Sequence, residues 1–280
     1  MIYTFTLNPS MDYIMDVENP RLGEINRSRS EVLKVGGKGI NVSLVLKALG
    51  NKSTVCAVTA GCIGEIIKNE IDNMGINKIT VEGKGCSRIN VKIPGERETA
   101  FNGKGCTGNI HIIDSLCENI KSSVDDIIVL SGSVCNGLDS SVYTYIMEKI
   151  KGRFVIDAEG EFLLNTLKNK PFLIKPNNEE LGRIFDCNVD SFEKAEFYGR
   201  KLCSMGAENV IVSMGSMGAV LVNKSDCFVK KAKSIKAVNT VGAGDAMVAG
   251  FISGYIYKSD IEFAFSEGVR AAELWLMGKI

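Results

Sequence analysis

The chain has one histidine, His111, and no two cysteines in a C-x-x-C arrangement. A lone imidazole offers no His-rich metal site and argues against a hydrolase built on a His base, so His111 reads as a surface or helix-start residue. The nine cysteines (56, 62, 86, 106, 117, 135, 187, 203 and 227) are odd in number and irregular in spacing, which fits reduced thiols in the cytosol. An excess of charge is missing too: 33 basic residues balance 33 acidic ones, so no global field recruits nucleic acid or an anionic membrane. No apolar run approaches the length of a bilayer span. The opening Met-Ile-Tyr-Thr-Phe-Thr-Leu lacks a basic region and a small-residue cleavage site, so it reads as a strand and not a signal peptide, and a cytoplasmic location is expected. Internal repeats, linkers and low-complexity stretches are absent as well.

What is present is an alternation of short β-rich runs with helical patterns. The strand candidates are Ile2–Leu7, Thr54–Val58, Ile127–Leu130, Phe154–Asp157, Leu173–Lys175, Val210–Met214 and Ala219–Val222. Between them Ile63, Ile66, Ile67, Ile71 and Met74 recur at helical spacing before Gly75, and Ala195, Tyr198, Leu202 and Met205 do so before Gly206. Such alternation predicts crossover helices over a mostly parallel sheet, with active-site residues at the carboxyl ends of the strands. Two segments break the rhythm. Asp12–Leu33 alternates without a helix, and Ser87–Asn102 reads as a hairpin of Arg88–Ile93, a turn at Pro94-Gly95, and Arg97–Asn102. These extended pieces are expected to pair into a small accessory sheet.

The segment Asn239-Thr-Val-Gly-Ala-Gly-Asp245 runs into the apolar Ala246-Met-Val-Ala-Gly-Phe251. Two glycines allow a tight turn whose amides converge at a helix start, where orphan N–H groups and the helix dipole favour an anion. An adjacent Asp could then accept a hydroxyl proton while the amides hold a migrating phosphoryl group. A Gly-rich turn capping a buried helix is the other reading, and this segment alone leaves both open. Gly36-Gly37-Lys38-Gly39-Ile40-Asn41 is a second cluster at a helix start. It fits neither the dinucleotide nor the phosphate-loop pattern. Close backbone access, the Lys38 ammonium and the Asn41 amide suit a polyhydroxylated anion, or else make a tight strand–helix turn. In Lys175-Pro-Asn-Asn-Glu-Glu180, Asn177 and Glu180 share one side of a first helical turn. They fit either waters around a phosphate-bound Mg²⁺ or an N-cap box. Ser131-Gly-Ser133, Asp157 and Ser213-Met-Gly-Ser-Met-Gly218 end other strands at the same edge.

Taken in order, these motifs resemble the ribokinase-like PfkB carbohydrate kinases. The signature regions are GGKGIN at Gly36–Asn41 and VNTVGAGDAMVAGF at Val238–Phe251. TLNPSMDY (Thr6–Tyr13), RINVKI (Arg88–Ile93), LSGS (Leu130–Ser133), KPNNEEL (Lys175–Leu181) and VSMG (Val212–Gly215) follow the family order. Within the family, TLNP, the Ser-Arg-Ile-Asn run and Glu98-Thr99 before Asn102-Gly103 look most like 1-phosphofructokinases, with tagatose-6-phosphate kinases close by. The resemblance implies a three-layer α/β/α sandwich with a β-sheet lid formed by about 12–34 and 86–104. It implies transfer from MgATP to a ketohexose phosphate, with fructose 1-phosphate giving fructose 1,6-bisphosphate as the leading case. Asp245 would be the base, and Gly242, Ala243 and Gly244 the anion hole. Asp12, Gly37, Asn41, Asn102 and Ser131 would hold the sugar, and Lys38, Arg88 and Arg27 its phosphate. Lys175, Asn177, Ser213, Gly215 and Gly218 would serve the nucleotide, with Glu180 and Asp157 at the metal. A monovalent cation near the anion hole is expected as well, and the exposed lid strands suit a homodimer through that sheet. Lys104, where the family commonly has proline, would add a cation near the sugar phosphate, and the chain ends at Ile280, short of the family's usual length.

Overall fold

A computed structural model of the chain describes residues 1–95, 99–235, 238 and 240–280. Nine strands form the large sheet. In chain order they are β1 (Ile2–Thr6), β4 (Thr54–Thr59), β5 (Asn77–Glu82), β8 (Ile127–Ser131), β9 (Arg153–Asp157), β10 (Leu173–Ile174), β11 (Asn209–Ser213), β12 (Gly218–Asn223) and β13 (Cys227–Lys231). Their spatial order is β13-β12-β11-β10-β9-β8-β1-β4-β5. All pairs from β11 to β5 are parallel, and β12 and β13 form an antiparallel edge.

Period-two side-chain alternation splits the core into two layers. Ile127, Val129, Val155, Ile211 and Leu221 point to one face, where they meet α1 (Lys38–Ala48), α8 (Ala243–Lys258) and α9 (Ile261–Leu276). Ile128, Leu130, Phe154, Ile156, Val210, Val212, Val220 and Val222 point to the other, against α3 (Ile110–Glu118), α4 (Val142–Lys149) and α7 (Phe192–Met205). A third cluster seats α2 (Gly61–Asn73) beside α1 through Ile67, Ile71 and Ile40. The short α5 (Glu161–Leu164) follows β9, and α6 (Asn178–Phe185) follows β10. The three-layer α/β/α sandwich expected from the sequence is therefore observed.

A second, four-stranded sheet has the order β3-β2-β6-β7, from β2 (Ser10–Asp16), β3 (Ser30–Gly36), β6 (Arg88–Ile93) and β7 (Thr99–Asn102). β6 and β7 pair antiparallel as the predicted hairpin, although the expected strand residues Arg97 and Glu98 lie outside the described residues. Register gives this sheet two unlike faces. Arg88, Asn90 and Lys92 share one with Ser10 and Asp12, while Leu33, Tyr13, Val91 and Phe101 form an apolar row across the other.

α1 lies hard against β1. A Cβ on Gly39 would stand 2.5 Å from the Phe5 carbonyl oxygen, a backbone atom with little freedom to move. Alanine normally favours a helix by up to about 1 kcal/mol over glycine, but overpacking costs about 1–3 kcal/mol. Gly39→Ala is therefore expected to lower the midpoint of denaturant unfolding; an unchanged or raised midpoint would mean that the close approach is slack.

Candidate active site

The parallel strands deliver Thr6, Ser131, Asp157, Lys175 and Ser213 to one edge, at or just past their carboxyl ends. Three helices begin there, and they differ in how their first amides are satisfied. Asn177 caps α6 through a reciprocal box: its Oδ1 accepts from the Glu180 amide at 2.7 Å, and the Glu180 carboxylate accepts from the Asn177 amide at 2.9 Å. Of the two readings open for this pair, the cap is formed. α1 and α8 start at Gly37 and Gly242, and no side chain among the described residues caps either. The leading amides of α8 are thus left for another acceptor.

Gly242 can occupy its turn only without a side chain. It has φ +90°, and a Cβ would stand 2.9 Å from the Trp275 ring. Trp275 in turn donates its indole N–H to the Val241 carbonyl at 2.7 Å, so α9 buttresses the turn. Gly244 serves closeness of another kind: a Cβ there would meet Lys175 Nζ at 3.1 Å. Asn239, the first residue of the predicted turn, lies outside the described residues.

Asp245 sits in the first turn of α8, 5% exposed, and its Oδ2 accepts from Asn41 Nδ2 at 2.7 Å. Burial, reinforced by the nearby Asp157 charge, pushes its carboxyl up to about 7, against the opposing pull of Asn41, Lys38 and Lys175. That value suits a base working near neutrality. Asp157 accepts from Lys38 at 3.1 Å and Lys175 at 3.2 Å, both through Oδ1. Although burial works against its charge, the two ammonium groups hold its carboxyl below the usual range. Its Oδ2 is buried with no partner among the described residues. Glu180 shifts the other way, raised chiefly by burial.

A cavity of about 370 Å³ opens beside this cluster, lined by Thr6, Asn8, Gly37, Lys38, Arg88, Ser131, Gly132, Ser133, Ala158, Glu159 and Phe162. It gathers four of the expected sugar-site residues: Gly37, Lys38, Arg88 and Ser131. Asp245 does not line it, and instead stands near its wall through the charge of Lys38. Arg88 donates through Nε to the Asn8 carbonyl at 3.1 Å, leaving the rest of its fork uncommitted among the described residues.

Other expected residues lie elsewhere. Asp12 belongs to the small sheet, where Lys92 at 2.7 Å, Ser10 at 2.7 Å and Asn90 at 2.9 Å surround its carboxylate. Arg27, Asn102 and Lys104 are exposed and do not line the cavity. Ser213 is stitched beside Asn177, its amide donating to the Pro176 carbonyl at 3.1 Å. Gly215 has open space around it, whereas Gly218 is glycine for a packing reason: a Cβ would stand 2.1 Å from the Lys230 carbonyl oxygen. The sequence reading did not single out Asn8 or Phe162. Asn8 pins two loops, donating to Lys104 and Val134 carbonyls at 3.2 Å each, a task that only its position just past the end of β1 hints at.

The pattern for pfkB family carbohydrate kinases matches residues 6–276 of the chain. The chain is 42% identical over 275 residues to 1-phosphofructokinase of Bacillus subtilis, spanning 97% of this chain and 91% of that protein. It is 32% identical over 277 residues to D-tagatose-1-phosphate kinase of Bacillus licheniformis, spanning 97% and 90%. Phosphofructokinase-2 from Escherichia coli, solved in complex with fructose-6-phosphate, superposes with a TM-score of 0.89 at 27% identity over 99% of this chain and 94% of that one. The same Escherichia coli protein, solved in complex with potassium, also gives a TM-score of 0.89. The order of motifs, the sandwich with its second sheet and the buried carboxylate at an open helix start thus have one source: the chain belongs to the pfkB family of carbohydrate kinases.

Proposed function

We propose that the protein phosphorylates a ketohexose phosphate with ATP as the donor, converting fructose 1-phosphate to fructose 1,6-bisphosphate. The observation that carries this reading is Asp245 at the uncapped start of α8, beside a cavity that presents Lys38 and Arg88. In the proposed reaction Asp245 takes the proton of the accepting hydroxyl. The amides of Gly242, Ala243 and Gly244, with the Lys175 ammonium beside them, hold the migrating group. Gly37 and Ser131 serve the sugar, and Arg88 with Lys38 its existing phosphate, where the planar Arg fork suits paired oxygens. Asn177, Ser213, Gly215 and Gly218 serve the nucleotide side.

The donor set fits Mg²⁺: among the described residues Asp157 keeps one buried oxygen without a partner, and the Glu180 carboxylate is close enough to feel the Asp157 charge. When bound, the ion would share the charge of the transferring phosphates. We extend the family's monovalent cation to the neighbourhood of the anion hole. The small sheet, with Asp12, Arg27 and Asn102, is read as a lid over the sugar, which would exclude water from the transfer. Its exposed Leu33, Ile89 and Phe101 suit a second copy of the chain. Among the described residues no helix is long and apolar enough to cross a membrane. The cysteine usage supports a cytoplasmic location.

A panel of fructose 1-phosphate, fructose 6-phosphate, tagatose 6-phosphate and free sugars under MgATP, with and without K⁺, tests the reading through ADP release. Fructose 1-phosphate is expected to give the highest kcat/KM. Preference for a tagatose phosphate would move the assignment to that related activity, and ADP release independent of any sugar would refute it.

A further inference from the structure

We infer that Asn41 is a positioning residue for the proton transfer: its amide fixes one oxygen of Asp245 so that the other is presented to the accepting hydroxyl. This rests on the reading of Asp245 as the base, and departs from the sugar-holding role that the family pattern implies for Asn41.

The bond joins residues 204 positions apart and runs between the first turns of two helices. The Asn41 backbone amide is already satisfied by Gly37 at 2.9 Å, so the side chain is free to reach across. It is not needed to hold α1 and α8 together, because Val42, Val45, Leu46, Ala246, Val248 and Ala249 pack in one apolar cluster. The chemistry fixes which end of the amide faces Asp245, since only the NH₂ end can donate to a carboxylate. Among the described residues Asp245 accepts no other side-chain hydrogen bond. The charged groups around it are Asp157, Lys38 and Lys175, which act through space. A carboxylate torsion is broad, so without a donor the plane that aims its oxygens would turn freely. One strong bond to Oδ2 removes that freedom and leaves Oδ1 available.

The test is steady-state kinetics of Asn41→Ala with fructose 1-phosphate and ATP, across pH, alongside the thermal midpoint. Misplacing a reacting group can cost about 10²-fold, so kcat is expected to fall by about that factor. Both KM values should stay within about twofold, the mark of an interaction used in the transition state. The acidic limb of the kcat profile should move to higher pH, because the lost donor favoured the charged carboxylate. Should Asn41→Ala prove unfolded, the near-isosteric Asn41→Asp replaces it. A second carboxylate facing the first would raise that limb further. A raised sugar KM with kcat intact would assign Asn41 to the sugar, and a wild-type kcat and pH limb would make the bond idle; either overturns the inference. An inactive wild-type enzyme would instead overturn the kinase reading itself.

Discussion

Asp245→Asn is expected to turn over fructose 1-phosphate roughly 10²–10⁴-fold more slowly than the wild type, while ATP binding changes little. The amide keeps the volume of the carboxylate and its place against Asn41, so the anion hole is left standing and only the proton acceptor is lost. Titration offers a second readout. With the Asp245 carboxyl pushed up to about 7, wild-type kcat should climb with pH through neutrality as the carboxylate forms, and the variant should lack that limb. The same burial has a consequence for stability, with the opposite sign. The unfolded chain releases this proton near the ordinary value of 3.8, the folded chain near 7. Between those values the folded state binds more protons, so its stability falls as pH rises, and the full cost is present above neutrality. Asp245→Asn should therefore resist urea better than the wild type at pH 8, with the advantage fading toward pH 4. Near-normal turnover in the variant would remove Asp245 from the chemistry, and equal urea midpoints at pH 8 would mean that its charge is better solvated than its burial indicates.

Arg88→Ala should raise the KM for the sugar phosphate by about 10- to 100-fold, the worth of one hydrogen-bonded charge, and leave the KM for ATP near its wild-type value. Arg88 stands on β6 at the cavity wall with, among the described residues, only its Nε engaged, and burial makes its charge harder to hold, which Asp12 opposes. A ligand phosphate would relieve that burden. Lys38, which also lines that wall, already gives one of its donors to Asp157, so the larger share of the phosphate is expected to fall on the arginine. The discriminating comparison is a sugar lacking the phosphate: its turnover, however poor, should be almost indifferent to the substitution. Equal loss toward both sugars, or toward ATP, would place Arg88 in a structural role.

The buried strands of the large sheet were legible because strands covered on both faces read as near-continuous apolar runs; the centres of β4, β8 and β11 are such runs. β5 and β13 were not, since they close the two edges of the sheet with sequences as polar as Asn-Lys-Ile-Thr-Val-Glu and Cys-Phe-Val-Lys-Lys, where no unbroken apolar run marks a strand. The helix starts were visible from glycines and caps, down to the choice left open at Asn177 and Glu180. Which side chains meet across the site was not visible. Asn41 with Asp245, and Lys175 with Gly244, are brought together by crossovers spanning dozens to hundreds of residues, and nothing local marks such pairs. Arg27 and Lys104, each near a motif in sequence, are exposed and do not line the cavity.

The edge strand β3 of the small sheet ends at Gly36, and α1 begins at Lys38, so at this crossing one residue joins the two sheets' elements. That residue, Gly37, has φ +140° and room for no side chain, a Cβ lying 2.5 Å from Thr6 Cγ2. Of the crossings between the small sheet and the rest of the chain, this is the one that leads directly into the turn bearing Lys38 and Asn41, so a shift of β3 would be felt there first. A sugar that seats the sheet would then also set the aim of Asp245, and one that leaves it ajar would leave the trigger uncocked and the nucleotide intact.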